Sequence, residues 1–419
     1  MTRRSVITGV GALAPTGIGA APVWKAAREG VTALGPLARY PALAAGGDRH
    51  PLALAGEIPG FDPHAHLEGG IVAQTDRFTH LALAASDMAL REAALVPAEL
   101  PPYAVGVVTA SCAGGVEFGQ REIQRLWSQG PTHVGPYQSI AWFYAASTGQ
   151  ISLRHGLKGP SGVVVTDEAG GLDAVAYADR EIRRGTAAML AGGAEAPLSP
   201  FSMACQFGHG MLSTASEPAH AYLPFTNGAR GFVPAEGGAV FLVEERTAAL
   251  ERGAEPLARV AGHGTTFTGP ADHPASAAGL ETAARQAFAE AGLGPGDIDV
   301  VFADALGVPE ADAAEADALR ALFGPRLPRI PVTAPKTGTG RAYSGAAALD
   351  AAHAVRTLRH GDVPPTPYVT APGPGFEDLD LVTGRARTTR PRTALLLARG
   401  LSGNNSALIL TRHTTEGGH

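Results

Sequence analysis

Val163, Val164 and Val165 run into Thr166–Gly171 and then into Leu172, Val175, Ala176 and Ile182 at helical spacing. Consecutive β-branched residues predict a short buried strand over 162–166, and the later spacing predicts a helix running to Arg184. Between them lies a tight turn closed by Gly170 and Gly171. A strand–turn–helix junction this sharp lifts one side chain off the backbone and aims it at the positive end of the helix. A nucleophile is usually held there. The side chain on offer is Glu168; no Ser, Thr or Cys stands at that point of the turn.

The 419 residues are 45% hydrophobic with a formal charge of −6, enough for two domains or one duplicated domain. The mild acidity and the lack of a Lys/Arg stripe argue against nucleic acid. No apolar window of about 18 residues exists, so no membrane span is expected. Met-Thr-Arg-Arg-Ser-Val-Ile lacks the apolar core of a secretory signal, and a reducing cytoplasm is the expected location. Cys112 and Cys205 are too few for a disulfide scaffold or a zinc site. Both read as structural thiols. The fourteen His show no ligand spacing, so neither a metal nor a cofactor is expected.

Along the chain, Ser5–Val10 predicts a strand entering Gly9-Val10-Gly11-Ala12-Leu13-Ala14, which matches G-x-G-x-x-A with Glu29 at the expected distance. A dinucleotide site is rejected, because Pro15 and Gly17 interrupt the helix that should open there. Residues 33–74 read as loop and cap. Helices are expected over Asp76–Ala94, Val116–Trp127 and Ser139–Leu153, the last carrying Trp142, Phe143 and Tyr144. Strands are expected at Ala104–Thr109, Ala188–Ala194 and Ala239–Glu244, with a long irregular, functional stretch over Ala196–Gly238. After Leu257–Thr266, helices (Ala277–Ala291, Ala313–Phe323, Tyr343–His360) alternate with strands (Val300–Ala305, Ile330–Thr333), and Arg392–Arg399 and Ala407–Thr411 close the chain as strands. This alternation predicts an α/β fold of mainly parallel sheets covered by helices. The similar order of its halves suggests an internal duplication, divided as 1–255 and 256–419.

Val-Val-Thr-Asp-Glu-Ala-Gly-Gly-Leu-Asp-Ala-Val-Ala resembles the nucleophile turn of β-ketoacyl synthases, and specifically the chain length factor, or ketosynthase-β subunit, of type II polyketide synthases. Thr109–Gly115, Glu117–Glu122, Tyr137–Ser139, Ala141–Tyr144, Leu223-Pro224-Phe225 and Pro234–Gly238 carry the same resemblance along most of the chain. The resemblance implies the thiolase fold, two αβ halves making five layers, αβαβα. In condensing relatives a Cys occupies the position of Glu168, and in most chain length factors a Gln does. The Ala-His-Gly turn of those relatives is matched by Ala303-Asp304-Ala305, and their Lys-x-x-x-Gly-His stretch by Lys336-Thr337-Gly338-Thr339-Gly340-Arg341. Lys336 is kept, while Glu168, Asp304 and Arg341 replace the Cys and both His. A carboxylate is a poor acyl carrier beside a thiolate, and neither Asp nor Arg offers a neutral imidazole N–H.

Glu168, Asp304, Lys336 and Arg341 are therefore expected around one pocket, as a vestigial site whose two negative and two positive charges pair. The sharper alternative is a residual malonyl-carrier decarboxylase activity, with a proton shared between Glu168 and Asp304. The resemblance implies no condensation by this chain alone. It implies a heterodimer, or a doubled heterotetramer, with a catalytic ketosynthase-α subunit, and delivery of starter and extender groups by acyl carrier protein. The strand near 162–166 would pair across the two-fold axis, hiding an apolar edge. Val116, Gly119, Gln120, Phe143, Val164 and Thr166 would face the tunnel and the interface, with Val116 and Gly119 leaving the tunnel open at that depth. A purely structural partner of the α subunit is the remaining alternative.

Overall fold

The computed structural model describes residues 4–41, 53–269 and 276–413. The readings that fall on Met1–Arg3 and on 42–52 lie outside the described residues. The long strands Ser5–Ala14, Ala188–Glu195 and Thr393–Arg399 are buried at every position, as strands covered on both faces must be.

The N-terminal half orders its strands as Ser161–Val164, Val105–Ala110, Ala188–Glu195, Gly237–Glu245 and Ser5–Ala14. In chain order that is third, second, fourth, fifth, first. The C-terminal half repeats it: Val332–Thr333, Val300–Phe302, Thr393–Arg399, Asn404–Thr411 and Ala258–Phe267. Orientation repeats as well. The first three strands of each order are parallel and the last two antiparallel. The halves meet where the two first strands pair, Val6 with Arg259 and Ile7 with Ala258. The duplication expected from the alternation of elements is thus present in the topology.

Helices Gly170–Arg184 and Ser344–His360 pack on each other and on strands of both halves, forming the central layer. Arg77–Glu92 covers the outer face of the first sheet; Ala277–Ala291 and Pro309–Phe323 cover that of the second. This is the five-layer thiolase architecture. Its central core joins Leu172, Val175 and Val355 to Phe241 and Leu396 from the two sheets.

Several expectations need correction. Ser139–Leu153 is two helices, Gln138–Ala141 and Ala146–His155. The break falls on the aromatic run, where the Trp142 carbonyl accepts the N–H of Gly115 at 3.0 Å instead of continuing a helix. The irregular stretch after Ala196 contains the helix Pro200–Phe207, capped by Ser199, with Pro at its first position. Among the described residues of 33–74 lie the short helical turns Pro63–Ala65 and Gly69–Gln74. The strand expected to end at Thr166 ends at Val164. The first strand runs past Val10 to Ala14, straight through the glycine pattern. A Cβ on Gly9 or Gly11 would lie 2.1 Å or 1.9 Å from the carbonyl oxygens of Ala89 and Ala85. Those glycines let the strand touch helix Arg77–Glu92 and cradle no phosphate.

Candidate functional site

The turn after strand Ser161–Val164 is held by Ala169 N–H donating to the Thr166 carbonyl at 3.1 Å and Gly170 N–H to that of Asp167 at 3.2 Å. Asp167 takes φ +50°, a left-handed conformation that costs a non-glycine residue about 1 kcal/mol or more. Its carboxylate compensates by accepting the Ser402 N–H (3.0 Å) and the Asn404 side-chain amide (3.1 Å). Glu168 Oε2 accepts the Leu401 N–H at 2.9 Å. Two successive carboxylates thus clamp the 400–404 turn of the C-terminal half onto the elbow of the N-terminal half. Gly400 is required in this clamp, since a Cβ there would lie 2.5 Å from Asp167 Cβ.

Glu168 is 2% exposed, and its Oε1 has no hydrogen-bond partner. Burial pushes its pKa up to about 7, against the pull of Arg341 and the two backbone N–H groups of Glu168 and Leu401. The Leu401 N–H is thereby occupied by the Glu168 carboxylate.

Asp304 follows strand Val300–Phe302 and is fully buried. Its Oδ1 accepts from Arg341 at 2.8 Å and from the Arg399 backbone N–H at 3.0 Å, and its Oδ2 accepts from Arg399 Nε at 3.0 Å. Burial raises its pKa, but Arg341, Arg399 and Lys336 outweigh it and hold the carboxyl well below the usual range. Arg399 also reaches Glu315 at 3.2 Å, whose two oxygens take the N–H groups of Asp304 and Ala305. Lys336 donates to the carbonyls of Ala303 and Asp304 and forms its ion pair with Asp350.

The expected pairing of two charges against two is therefore corrected. Asp304, Glu315 and Asp350 balance Arg341, Arg399 and Lys336, and Glu168 is left over. Burial is the main influence that raises Glu168 toward neutrality, and no ion pair among the described residues offsets it. No hydrogen bond joins Glu168 to Asp304 among the described residues, so the shared proton of the decarboxylase reading has no bridge. Sequence reasoning missed Arg399, Glu315 and Asp350. Arg399 had a readable signal, since it is a charge at the end of an apolar strand, Ala-Leu-Leu-Leu-Ala-Arg.

Cys112 is half-buried beside the pocket, its thiol pushed well up by burial and by Glu195 and Glu168, the reverse of an activated nucleophile. Glu195, also missed, accepts the Cys112 N–H at 2.6 Å and the Ser344 hydroxyl at 3.0 Å, tying the halves together. Its pKa is pushed up to about 7 by burial. Cys205 is exposed. Among the described residues, no cluster of three or more His, Cys, Asp or Glu could hold a metal, and no helix is long and apolar enough to cross a membrane.

Helix Val116–Gln129 places Val116 and Gln120 at half-buried positions and Gly119 at a buried one. Gln120 Oε1 accepts the Phe201 N–H at 2.8 Å. A Cβ on Gly119 would meet nothing closer than Gln138 Nε2 at 3.6 Å. Val164 is half-buried against the central core, and Thr166 donates to Asp173. Strand Ser161–Val164 is an edge strand, paired only with Val105–Ala110 among the described strands. Val165 follows it directly and is exposed, and Trp127 (82% exposed), Trp142 (50%), Phe143 (39%), Ile123, Ile140, Phe201 and Phe207 are exposed elsewhere in the same half. An open sheet edge and exposed side chains of this size are marks of surface covered by another chain.

Residues 2–249 match the sequence profile of the β-ketoacyl synthase N-terminal domain, and 257–370 that of its C-terminal domain. A polyketide β-ketoacyl synthase 2 homologue from Streptomyces halstedii is 58% identical over 411 residues, 98% of this chain and 97% of that one. The solved ishigamide ketosynthase/chain length factor superposes with a TM-score of 0.90 at 25% identity, over 99% of this chain and 100% of that one. A type II polyketide synthase acyl-carrier protein in complex with its ketosynthase, bound to the hexaketide, gives 0.88 at 25% identity, again over 99% and 100%. A turn shaped for a thiol but holding a carboxylate, in a duplicated five-layer fold matched along its length, places the chain in the β-ketoacyl synthase family, as a member that lacks the Cys-His-His triad.

Proposed function

We propose that this chain is the non-condensing, chain-length-setting partner of a catalytic ketosynthase, working in the cytoplasm on polyketides carried by acyl carrier protein. One observation carries the reading: the elbow presents a carboxylate pinned to Leu401 N–H, and Asp304 is locked by two arginines. No group there can hold a thioester or offer a neutral imidazole. The open strand edge and the exposed aromatic side chains of the same half support contact with a second chain. Two of the similar solved structures support the choice of companions, one being a ketosynthase/chain length factor and the other an acyl-carrier protein in complex with its ketosynthase.

In this reading Glu168, Asp304, Arg341 and Lys336 are the remnant of the catalytic positions and form a wall. Val116, Gly119, Gln120, Phe143, Val164 and Thr166 line the tunnel or the interface. The gap between the two profile matches, which end at 249 and resume at 257, supports a division at residues 255 and 256. The test is co-expression with a ketosynthase that retains its Cys turn. The pair is expected to co-purify and make a polyketide, and Val116→Phe or Gly119→Trp to shorten it. Acyl elongation by this chain alone would refute the proposal. Unchanged product length in both variants would remove the two positions as the gate.

A further inference from the structure

Five arginines converge at the seam where the halves meet. Arg4, Arg246, Arg259, Arg392 and Arg412, with His413, line a polar cleft of about 270 Å³. Strand register puts them there. Val6 pairs with Arg259, Arg259 with Thr411, and Thr411 with Thr393, while Arg246 N–H donates to the Arg4 carbonyl and Arg412 N–H to that of Arg392, both at 2.8 Å. The cleft lies at the opposite end of strand Thr393–Arg399 from the Asp304 network, roughly 20 Å away at about 3.3 Å per residue. It is a separate place from the pocket described above.

Such a concentration of cations is unexpected in a chain of net charge −6. Among the described residues no carboxylate forms an ion pair with Arg246, Arg259, Arg392 or Arg412. Two acids are near. Asp179 attracts Arg259 but is paired with Arg183, and Asp299 spends its Oδ2 on the backbone N–H groups of Arg392 and Thr393. Arg259 donates from Nε to Thr411 and Arg412 from Nε to the Leu358 carbonyl, which orients both guanidinium planes and leaves their terminal nitrogens with no hydrogen bond among the described residues. Burial and the nearby Arg4 pull Arg259 below the usual arginine range, against the attraction of Asp179.

We infer that this cleft binds a small, multiply charged phosphate-class anion, about the size of pyrophosphate. Several planar guanidinium forks around one space match phosphate oxygens in pairs, and the volume falls just short of the about 300 Å³ at which drug-sized ligand pockets begin. The anion would bridge strands of both halves and stiffen their seam.

The test is calorimetric titration of the full-length protein, in its purified assembly, with inorganic pyrophosphate at constant ionic strength. ATP and sulfate are run in parallel. Saturable binding of pyrophosphate is expected, weakening as salt rises. It should weaken roughly tenfold or more in Arg246→Gln and again in Arg392→Gln, whose side chains hold no other described partner. Tighter binding of ATP would identify a nucleotide as the source of the phosphates. No saturable binding, sulfate binding as tightly as pyrophosphate, or equal affinity in variants whose circular dichroism matches the parent would overturn the inference.

Discussion

Glu168→Gln removes a buried carboxyl that no ion pair among the described residues balances. The buried carboxyl has a pKa of about 7 against 4.5 for an ordinary glutamate. A shift of about 2.5 pH units, at about 1.36 kcal/mol each, puts the cost of ionising it in the folded chain at roughly 3 kcal/mol. The folded state binds this proton more tightly than the unfolded state does. The contribution is therefore fully present below pH 4.5, is lost as pH rises toward 7, and stays absent above that. Glutamine keeps a carbonyl oxygen for Leu401 N–H and carries no titrating proton. Urea unfolding of parent and variant, at one protein concentration and several pH values from 5 to 8.5, should show the variant gaining on the parent by about 2–3 kcal/mol across the range. Glu195, with a pKa also near 7, titrates in both proteins and cancels in the difference. A parent-to-variant difference that stays flat with pH would refute the assignment of a neutral, buried Glu168. The same variant separates the functional readings. Product formation should remain near parental, whereas loss of chain initiation with the complex intact would reveal an active carboxyl.

Asp304→Ala strands the buried Arg341 and leaves the buried Arg399 with Glu315 as its one carboxylate among the described residues, and should cost about 3–5 kcal/mol, read as a lowered unfolding midpoint. Gly400→Ala drives a methyl group to within 2.5 Å of Asp167 Cβ and should cost about 1–3 kcal/mol, with faster proteolysis at the 400–404 turn as the clamp loosens. Trp142→Ala with Phe143→Ala removes two exposed aromatics. Co-purification with the ketosynthase should drop while stability of the isolated chain changes by less than about 1 kcal/mol.

The elements were legible where one physical rule dominated. Alternating apolar strands and amphipathic helices fixed the order of both halves, and Val163–Val165 with Gly170-Gly171 marked the elbow. Local rules failed where distant backbone intervened. Ser139–Leu153 has the composition of one helix, yet Gly115 takes the Trp142 carbonyl from 27 residues away and breaks it. Helix Pro200–Phe207 was readable from Ser199-Pro200 and was hidden by the prolines around it. In the pocket, Glu168, Asp304, Lys336 and Arg341 were placed by resemblance. Their real partners, Arg399, Glu315 and Asp350, come from other elements, and pairing across 14 to 95 residues has no periodicity to read.

The composition of this network bears on what a length-setting wall needs. A cavity left by losing a thiol and two imidazoles could have been filled with apolar side chains, which is often as stable as a buried ion pair or more so. Apolar filling, however, tolerates repacking, and a wall that repacks does not define a length. Asp304, Arg341 and Arg399 come from separate segments and are joined by bonds with fixed directions, so moving any one leaves a charge unpaired. Neutralising the network as a unit, with Asp304, Arg341 and Arg399 replaced together by apolar residues of similar size and Glu315, the other partner of Arg399, by Gln, should therefore retain stability better than Asp304→Ala alone while broadening the distribution of product lengths. A single sharp product from that quadruple variant would mean that the wall's rigidity comes from the surrounding five-layer packing and that the charges serve some other purpose.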